Sequence, residues 1–132
     1  LDTIQAAILN VKFKHLDEWT KQRIKNAEYY NENLEGVITP YYEPNNYHVY
    51  NQYVIRTDRR DELKDYLKNS NISTEIYYSL SLHLQPAFEF LNYKKGDFPE
   101  SEKVSSEVLS LPVYPELEKE DQDLIIKKIK EF

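Results

Sequence analysis

A helical pattern runs without interruption over residues 2–34, and its length limits how the chain can fold. Apolar residues recur at helical spacing, and Gly36 stands just beyond the end, where helix termini favour glycine. One unbroken helix of this length would extend roughly 50 Å, longer than a compact domain of this size is wide. The helix must therefore break or project. Asp17 can cap a second helix, so we predict a break near Leu16–Asp17.

The two halves of this stretch are expected to have different roles. The amphipathic pattern is already running at residues 2–8 with no cap or loop before it, so we expect the chain to have been cut inside or just before a helix. The half from Ile4 to Lys14 is then expected to form an interface with the missing part. The chain also starts at Leu1 and contains no methionine. We therefore expect a fragment of a longer protein, in which residues 1–16 form a connecting helix and residues 17–132 form one domain.

Composition excludes several classes of protein. The chain has 132 residues, enough for one domain that buries roughly two-thirds of its unfolded surface. Hydrophobic residues at 40% and charged residues at 30% are typical of a globular protein, and no apolar run approaches the ~20 residues of a membrane helix. A membrane partner is therefore not expected. The absence of cysteine excludes disulfides and thiolate metal sites, and it agrees with a cytoplasmic location.

The charge pattern bears on which ligands the chain can bind. A net charge of −6 and basic residues scattered among acids argue against a nucleic-acid surface, which needs a basic stripe. A small anionic ligand is not excluded, because one or two well-placed arginines can hold a phosphate whatever the global charge.

Beyond the long helical stretch, strand and helix patterns alternate. Residues 48–56 and 72–78 read as strands on either side of an amphipathic helix at 58–68, a short strand with flanking prolines occupies 108–115, and a final helix covers 117–132. These elements predict an α/β (α+β) fold. We expect a small antiparallel or mixed sheet of about three strands, packed with helices and preceded by the long helix.

Residues 74–86 concentrate the unusual polar and aromatic side chains of the chain. The stretch begins as an alternating strand carrying Tyr77 and Tyr78, and it ends in a loop that holds His83 and Gln85 before Pro86. Polar groups held on a rigid element are how binding sites are built, so a ligand-contacting edge is one interpretation. A strand end with ordinary aromatic packing is the other. The local pattern does not decide between them.

Self-contained catalytic motifs are not evident. The three histidines are too far apart in sequence to read as a local metal site. Ser79 and Ser81 lie near His83, but no glycine elbow surrounds either serine, so a hydrolase triad is unsupported. The two glycines, Gly36 and Gly96, cannot form a phosphate-binding glycine loop.

Five motifs in one order resemble those of the DegT/StrS-type sugar-nucleotide aminotransferases. Together they extend over essentially the whole chain. They are LDTIQAAIL at 1–9, HVYNQYVIR at 48–56, YY at 77–78 with LHLQP at 82–86, GDFP at 96–99 with SE at 101–102, and LSLP at 109–112 with YPEL at 114–117.

The resemblance implies the C-terminal small domain of a pyridoxal-phosphate enzyme with the aspartate aminotransferase fold. Such enzymes are homodimers that move an amino group, usually from glutamate, onto a keto-sugar linked to a nucleoside diphosphate. The cofactor pyridoxal 5′-phosphate and the lysine that binds it would belong to a large domain preceding Leu1. The resemblance thus implies that this fragment alone is inactive and that residues 1–16 lead into it from the large domain.

The resemblance also implies which residues contact substrate. Tyr77 and Tyr78 match the aromatic pair at the sugar-nucleotide site, and His83 with Gln85 match the loop that follows. In the strand motif, His48 and Asn51, together with Gln52, match positions near the site. The sequence departs from the family at Ser79 and Ser81, where prolines are frequent, and at Asn71, where glycine is usual. Without these prolines we expect a less pre-organised loop after Tyr78.

Two alternatives to an aminotransferase stay open at this point. In a pyridoxal-phosphate sugar dehydratase of the same family, histidine replaces the cofactor-binding lysine, and that position lies outside the chain. The other alternative is a stand-alone carbohydrate-binding or regulatory module. A role in surface-polysaccharide biosynthesis agrees with the aminotransferase interpretation.

Overall fold

The structure is a computed structural model, and it describes residues 2–132. Five α-helices and two strands account for the regular structure of this part of the chain. Two short segments, Leu82–Leu84 and Pro86–Leu91, form 3₁₀ helices. The elements in chain order are α1 (Thr3–Phe13), α2 (Leu16–Asn33), β1 (Tyr53–Arg56), α3 (Arg60–Asn69), α4 (Pro99–Glu107), β2 (Val108–Leu111) and α5 (Lys119–Glu131).

The predicted break in the long helix is confirmed, but the predicted cap is wrong. α1 ends at Phe13 and α2 begins at Leu16, with His15 at the N-cap position and no side-chain cap hydrogen bond. Asp17 lies inside the first turn of α2 together with Glu18. There the two carboxylates stabilise the helix through its dipole rather than by capping a free N–H.

The sheet consists of the antiparallel pair β1 and β2. Tyr53 pairs with Leu111, and Ile55 pairs with Leu109. These four side chains share one face of the sheet and are at most 2% exposed. The predicted α/β class with a small sheet is confirmed, although the sheet has two strands rather than about three.

The segment 72–78, predicted as a strand, contributes a single bridge. Glu75 and Ser110 exchange both backbone hydrogen bonds, at 3.2 and 2.7 Å. The next hydrogen-bonded pairs of such a ladder would fall two residues away on each side, at Pro112 and Val108. Pro112 has no N–H, and the Val108 N–H already donates to the last turn of α4. The segment 72–78 therefore pairs with β2 at one residue only and forms no third strand.

The first strand is also shorter than predicted, since residues 48–52 lie outside it. Tyr50 has a φ of +46°, a left-handed conformation that interrupts an extended chain. Its N–H donates to Nδ1 of His48 at 3.1 Å instead of to a neighbouring strand. The partner strand β2 also ends at Leu111, before Pro112, so there is no further ladder for these residues to join.

Three helices and the sheet enclose one apolar core. The Tyr30 hydroxyl on α2 donates to the Pro112 carbonyl at 3.1 Å, and its ring lies 5.0 Å from that of Tyr53. Two hydrogen bonds join α2 to α5 and the segment before it: Asn26 donates to the Tyr114 carbonyl, and Gln122 donates to the Asn26 carbonyl in a buried bond. The core side chains of the helices are Ala27 and Tyr30 from α2, with Leu34 at its C-cap, Leu63 and Leu67 from α3, and Ile125, Ile126 and Ile129 from α5.

Helix α1 takes no part in this core. None of its residues is buried, and Ile4 and Phe13 are 70% and 74% exposed. Within residues 2–132, no helix combines the length and the apolar character needed to cross a bilayer.

Candidate functional site

Tyr77 and Tyr78 lie at the end of the bridged segment, directly after the sheet edge at Glu75. Their side chains are 40% and 73% exposed, and the two rings meet edge to face with centroids 5.9 Å apart. An exposed aromatic pair of this kind presents both a ring face and a hydroxyl to a ligand. The structure thus leaves this predicted pair accessible.

His83 lies in the first 3₁₀ helix, and its side chain points inward. The side chain is 7% exposed, and Nε2 lies 2.9 Å from Oε1 of Glu102 on α4. A carboxylate only accepts hydrogen bonds, so Nε2 must carry a hydrogen. The imidazole ring also packs on Phe98, with centroids 4.8 Å apart. His83 therefore presents little surface to a ligand and fastens the loop to α4.

Gln85 folds back on the same loop. Its side-chain amide donates to the Leu80 carbonyl at 3.5 Å, a long hydrogen bond. The residue is half-buried. Gln85 therefore stabilises the turn between Tyr78 and Pro86.

One face of α4 holds the loop that follows Tyr78. Glu102 accepts from the Gly96 N–H at 2.7 Å as well as from His83, and one turn further along Ser105 shares a 3.1 Å hydroxyl hydrogen bond with Ser81. The Gly96 N–H first, and then the His83 bond, hold the pKa of the Glu102 carboxyl below its ordinary value. These links order the loop without the prolines that are frequent in the family.

Sequence reasoning missed the roles of Glu102 and Ser105. Glu102 stood within a quoted motif, but nothing in the local pattern indicated that it reaches back to His83. A helical spacing of three residues does place Glu102 and Ser105 on one face of α4. This spacing was the one feature of the sequence that could have indicated their shared role.

His48 and Asn51 lie on the irregular segment before β1. The His48 ring packs against Tyr50, with centroids 4.1 Å apart, and Asn51 is exposed. No hydrogen bond or ring contact in residues 2–132 joins them to Tyr77 or Tyr78. Their predicted contact with substrate is not tested by these contacts and stays a prediction.

Comparison with known proteins decides the family. The sequence profile of the DegT/DnrJ/EryC1/StrS aminotransferase family matches residues 1–130. The chain belongs to this family. The resemblance drawn from the five motifs is thereby confirmed.

Individual members of the DegT/DnrJ/EryC1/StrS family agree with this assignment. The chain is 52% identical to a protein named "Pleiotropic regulatory protein" from Geobacillus stearothermophilus, over 100% of this chain and 37% of that protein. It is 34% identical to the dTDP-3-amino-3,4,6-trideoxy-alpha-D-glucose transaminase of Streptomyces venezuelae, over 100% of this chain and 36% of that protein. The chain thus spans little more than a third of the length of these relatives.

Solved structures confirm the fold. A crystal structure of S. venezuelae DesV in complex with a ketimine intermediate superposes with a TM-score of 0.94 at 34% identity, covering 99% of this chain and 36% of that one. An aminotransferase of this family from Brucella abortus gives a TM-score of 0.92 at 41% identity, over 100% of this chain and 36% of that one. The described residues therefore have the fold of one part of these aminotransferases.

The lysines of this chain show whether it could itself bind pyridoxal phosphate through a Schiff base. A lysine that forms such a bond is activated by desolvation or by a neighbouring cation. Among residues 2–132 no lysine is buried, and the two half-buried ones, Lys64 and Lys128, pair with Glu75 and Glu131 at 3.5 and 2.7 Å. These residues do not fit a Schiff-base site.

Acidification is expected to break the hydrogen bond from the Gly96 N–H to the Glu102 carboxylate. Because the pKa of Glu102 is lowered in the folded chain, its stabilising contribution is present above the ordinary glutamate pKa and is lost as pH falls through the lowered value. The Gly96 amide proton, followed by NMR, should therefore titrate with a midpoint below 4.5. The variant Glu102→Gln should lose this titration, whereas Glu100→Gln should keep it. A Gly96 midpoint at or above the ordinary value would contradict the link.

Proposed function

We propose that this chain is the C-terminal domain of a pyridoxal-phosphate-dependent aminotransferase that transfers an amino group from glutamate to a nucleotide-linked keto-sugar. One observation carries the proposal: the described residues superpose on S. venezuelae DesV, solved with a ketimine intermediate, with a TM-score of 0.94. Relatives named as transaminases of dTDP- and UDP-sugars support the substrate class.

In this proposal the chain supplies one wall of the substrate site. Tyr77 and Tyr78 contact the nucleotide sugar through their exposed rings and hydroxyls, and α4 fixes the loop behind them. When bound, pyridoxal phosphate supplies the electron sink for amino transfer. The lysine that holds it lies in another part of the protein, so residues 1–132 alone do not catalyse the reaction.

Helix α1 fits the role of a connection to that other part. Its large apolar residues, among them Ile4, Ile8 and Phe13, are more than half exposed. Burial of an apolar side chain of this size is worth about 1.5–3 kcal/mol, so such a row is stabilised by packing against a partner surface. We propose that residues 1–16 link and pack onto the cofactor-binding domain of a cytoplasmic homodimer.

The test uses the longer protein that contains this chain. The purified protein should show a pyridoxal absorption band, and glutamate should shift that band as the amino group moves onto the cofactor. Alanine should shift it much less, if glutamate is the donor. A protein that carries no bound cofactor would overturn the proposal.

A second candidate, a regulatory or carbohydrate-binding module, is favoured by the name of the Geobacillus stearothermophilus relative. A regulatory module would bind nucleotide sugars without an absorption shift from glutamate. The same spectrum therefore separates the two candidates. The dehydratase of the same family would bind the cofactor but would carry histidine in place of the lysine, which the sequence before Leu1 decides.

A further inference from the structure

Glu102 on α4 joins two loops that are separate in sequence. Its Oε1 accepts from Nε2 of His83, in loop 79–86, at 2.9 Å. The same oxygen accepts from the Gly96 N–H, in loop 92–98, at 2.7 Å. The Glu102 side chain is 15% exposed, so water competes little for these bonds. One carboxylate oxygen therefore fixes both loops to each other and to α4.

Three aromatic rings fill the space between the two loops. The Phe98 ring lies 4.8 Å from the His83 imidazole and 5.0 Å from the Tyr93 ring, measured between centroids. The turn before Phe98 is closed by Asp97, whose carboxylate accepts from the Lys94 N–H at 2.8 Å. The segment before α4 is therefore an ordered support on which the imidazole of His83 packs.

Apolar burial contributes little to holding loop 79–86. Neither 3₁₀ helix contains a buried residue, and Leu80 and Leu82 are 42% and 66% exposed. The one buried residue of this loop is Ser81, whose hydroxyl shares a 3.1 Å hydrogen bond with that of Ser105 on α4. The position of the loop thus depends on polar contacts with α4 rather than on the apolar core.

Helix α4 is itself held by the core of the chain. The Arg60 side chain on α3 is 9% exposed, and its Nη1 donates to the carbonyls of Ser105 and Val108 at 3.2 and 3.3 Å. Val108 begins β2, which pairs with β1. Contacts therefore run from the sheet through α4 to the loop that follows the aromatic pair of Tyr77 and Tyr78.

We propose that Glu102 is a positioning residue for the half-reaction in which the nucleotide sugar takes part. Through His83 and loop 79–86 it holds the aromatic pair in the orientation that contacts the sugar nucleotide. The assignment rests on the proposed function. Because Tyr78 immediately precedes the loop, a loop that moves displaces the pair, and a misplacement of about 1 Å can lower a rate about a hundred-fold. In this assignment Glu102 acts without touching the substrate.

The kinetic test uses the longer protein that contains this chain. Both half-reactions are followed by the cofactor absorption, with glutamate or with dTDP-3-amino-3,4,6-trideoxy-alpha-D-glucose as the amino donor. Glu102→Ala should lower kcat/KM for the amino sugar about ten-fold and change the glutamate half-reaction by less than about two-fold. Glu102→Gln should restore most of the loss, because its amide oxygen can accept the same two hydrogen bonds.

Two further variants separate positioning from a general loss of structure. Glu100→Ala, which removes an exposed carboxylate from the same helix, should change either half-reaction by less than about two-fold. In the Tyr77→Ala/Tyr78→Ala background, Glu102→Ala should cost less than about two-fold more, because residues that act as one unit are not additive. Multiplied losses, equal losses in both half-reactions, or unchanged kinetics of Glu102→Ala would each overturn the positioning role.

Hydrogen exchange gives a readout that does not depend on the choice of sugar. In Glu102→Ala, the backbone amides of loops 79–86 and 92–98 should exchange faster together, whereas those of α5 should keep their rates. Faster exchange in one loop alone, or no change in either, would contradict the joint at Glu102. Absence of the glutamate-induced absorption shift in the unmodified protein would instead overturn the proposed function, whatever the loops do.

Discussion

Replacing Leu109 with alanine is expected to lower the free energy of unfolding by about 3 kcal/mol, the usual cost of removing a buried leucine side chain. Leu109 is fully buried and lies opposite Ile55 in the middle of the two-stranded sheet. With only two strands, few neighbouring groups can move to fill the space that is left. The cavity therefore costs free energy in addition to the lost burial.

Urea denaturation followed by circular dichroism measures this loss as a lower midpoint at unchanged slope. Leu124→Ala is the matched control, since Leu124 is 43% exposed on α5. The control should change the stability by less than about 0.5 kcal/mol, because surface substitutions remove little buried area. Equal losses in the two variants would mean that the sheet face is not the centre of the core.

Replacing both Tyr77 and Tyr78 with alanine is expected to lower kcat/KM for the nucleotide-linked sugar about a hundred-fold. Each aromatic ring that stacks on a flat ligand group contributes about 1–3 kcal/mol, and a hundred-fold loss corresponds to ~2.7 kcal/mol. Both rings are exposed and make no hydrogen bond within residues 2–132, so the fold should not depend on them. The loss should appear in the sugar half-reaction only.

The amino-sugar half-reaction provides the measurement, with dTDP-3-amino-3,4,6-trideoxy-alpha-D-glucose as the first probe, after the S. venezuelae relative's name. The glutamate half-reaction of the same variant should change by less than about two-fold, since it does not use the sugar wall. Tyr41→Ala, which removes an equally large ring that is 81% exposed on a different segment, serves as the control. A double variant that turns over the amino sugar normally would exclude the pair from the site.

Local rules were sufficient for most of the fold. Helix length alone required the break after α1, and the amphipathic pattern located α3 and α5 within a few residues. The strands were predicted to be too long, because the point at which a strand ends depends on its partner strand. Whether residues 72–78 form a ladder was decided by the missing Pro112 N–H and by the Val108 N–H that α4 uses, and neither lies near that segment in sequence.

The candidate site shows the same division. Tyr77 and Tyr78 were found from their motif, and the structure leaves them exposed. His83 came from the same motif, yet its imidazole faces inward to Glu102, 19 residues further along the chain. Arg60 on α3 donates to the Ser105 carbonyl across 45 residues, a contact that no local pattern indicates.

The sequence by itself determined the family, the α/β class and the helix break, and it singled out the aromatic pair as a candidate contact, because motifs, periodicity and helix length are properties of neighbouring residues. Only the tertiary structure decided which polar side chains are engaged and which remain free. Glu102, His83 and Ser105 became supports of a loop, and Arg60 was engaged by Asp61 and by the carbonyls of Ser105 and Val108. These outcomes depend on how α4 packs beside α3 and β2, since hydrogen bonds reach only about 3 Å and are set by contacts between distant parts of the chain.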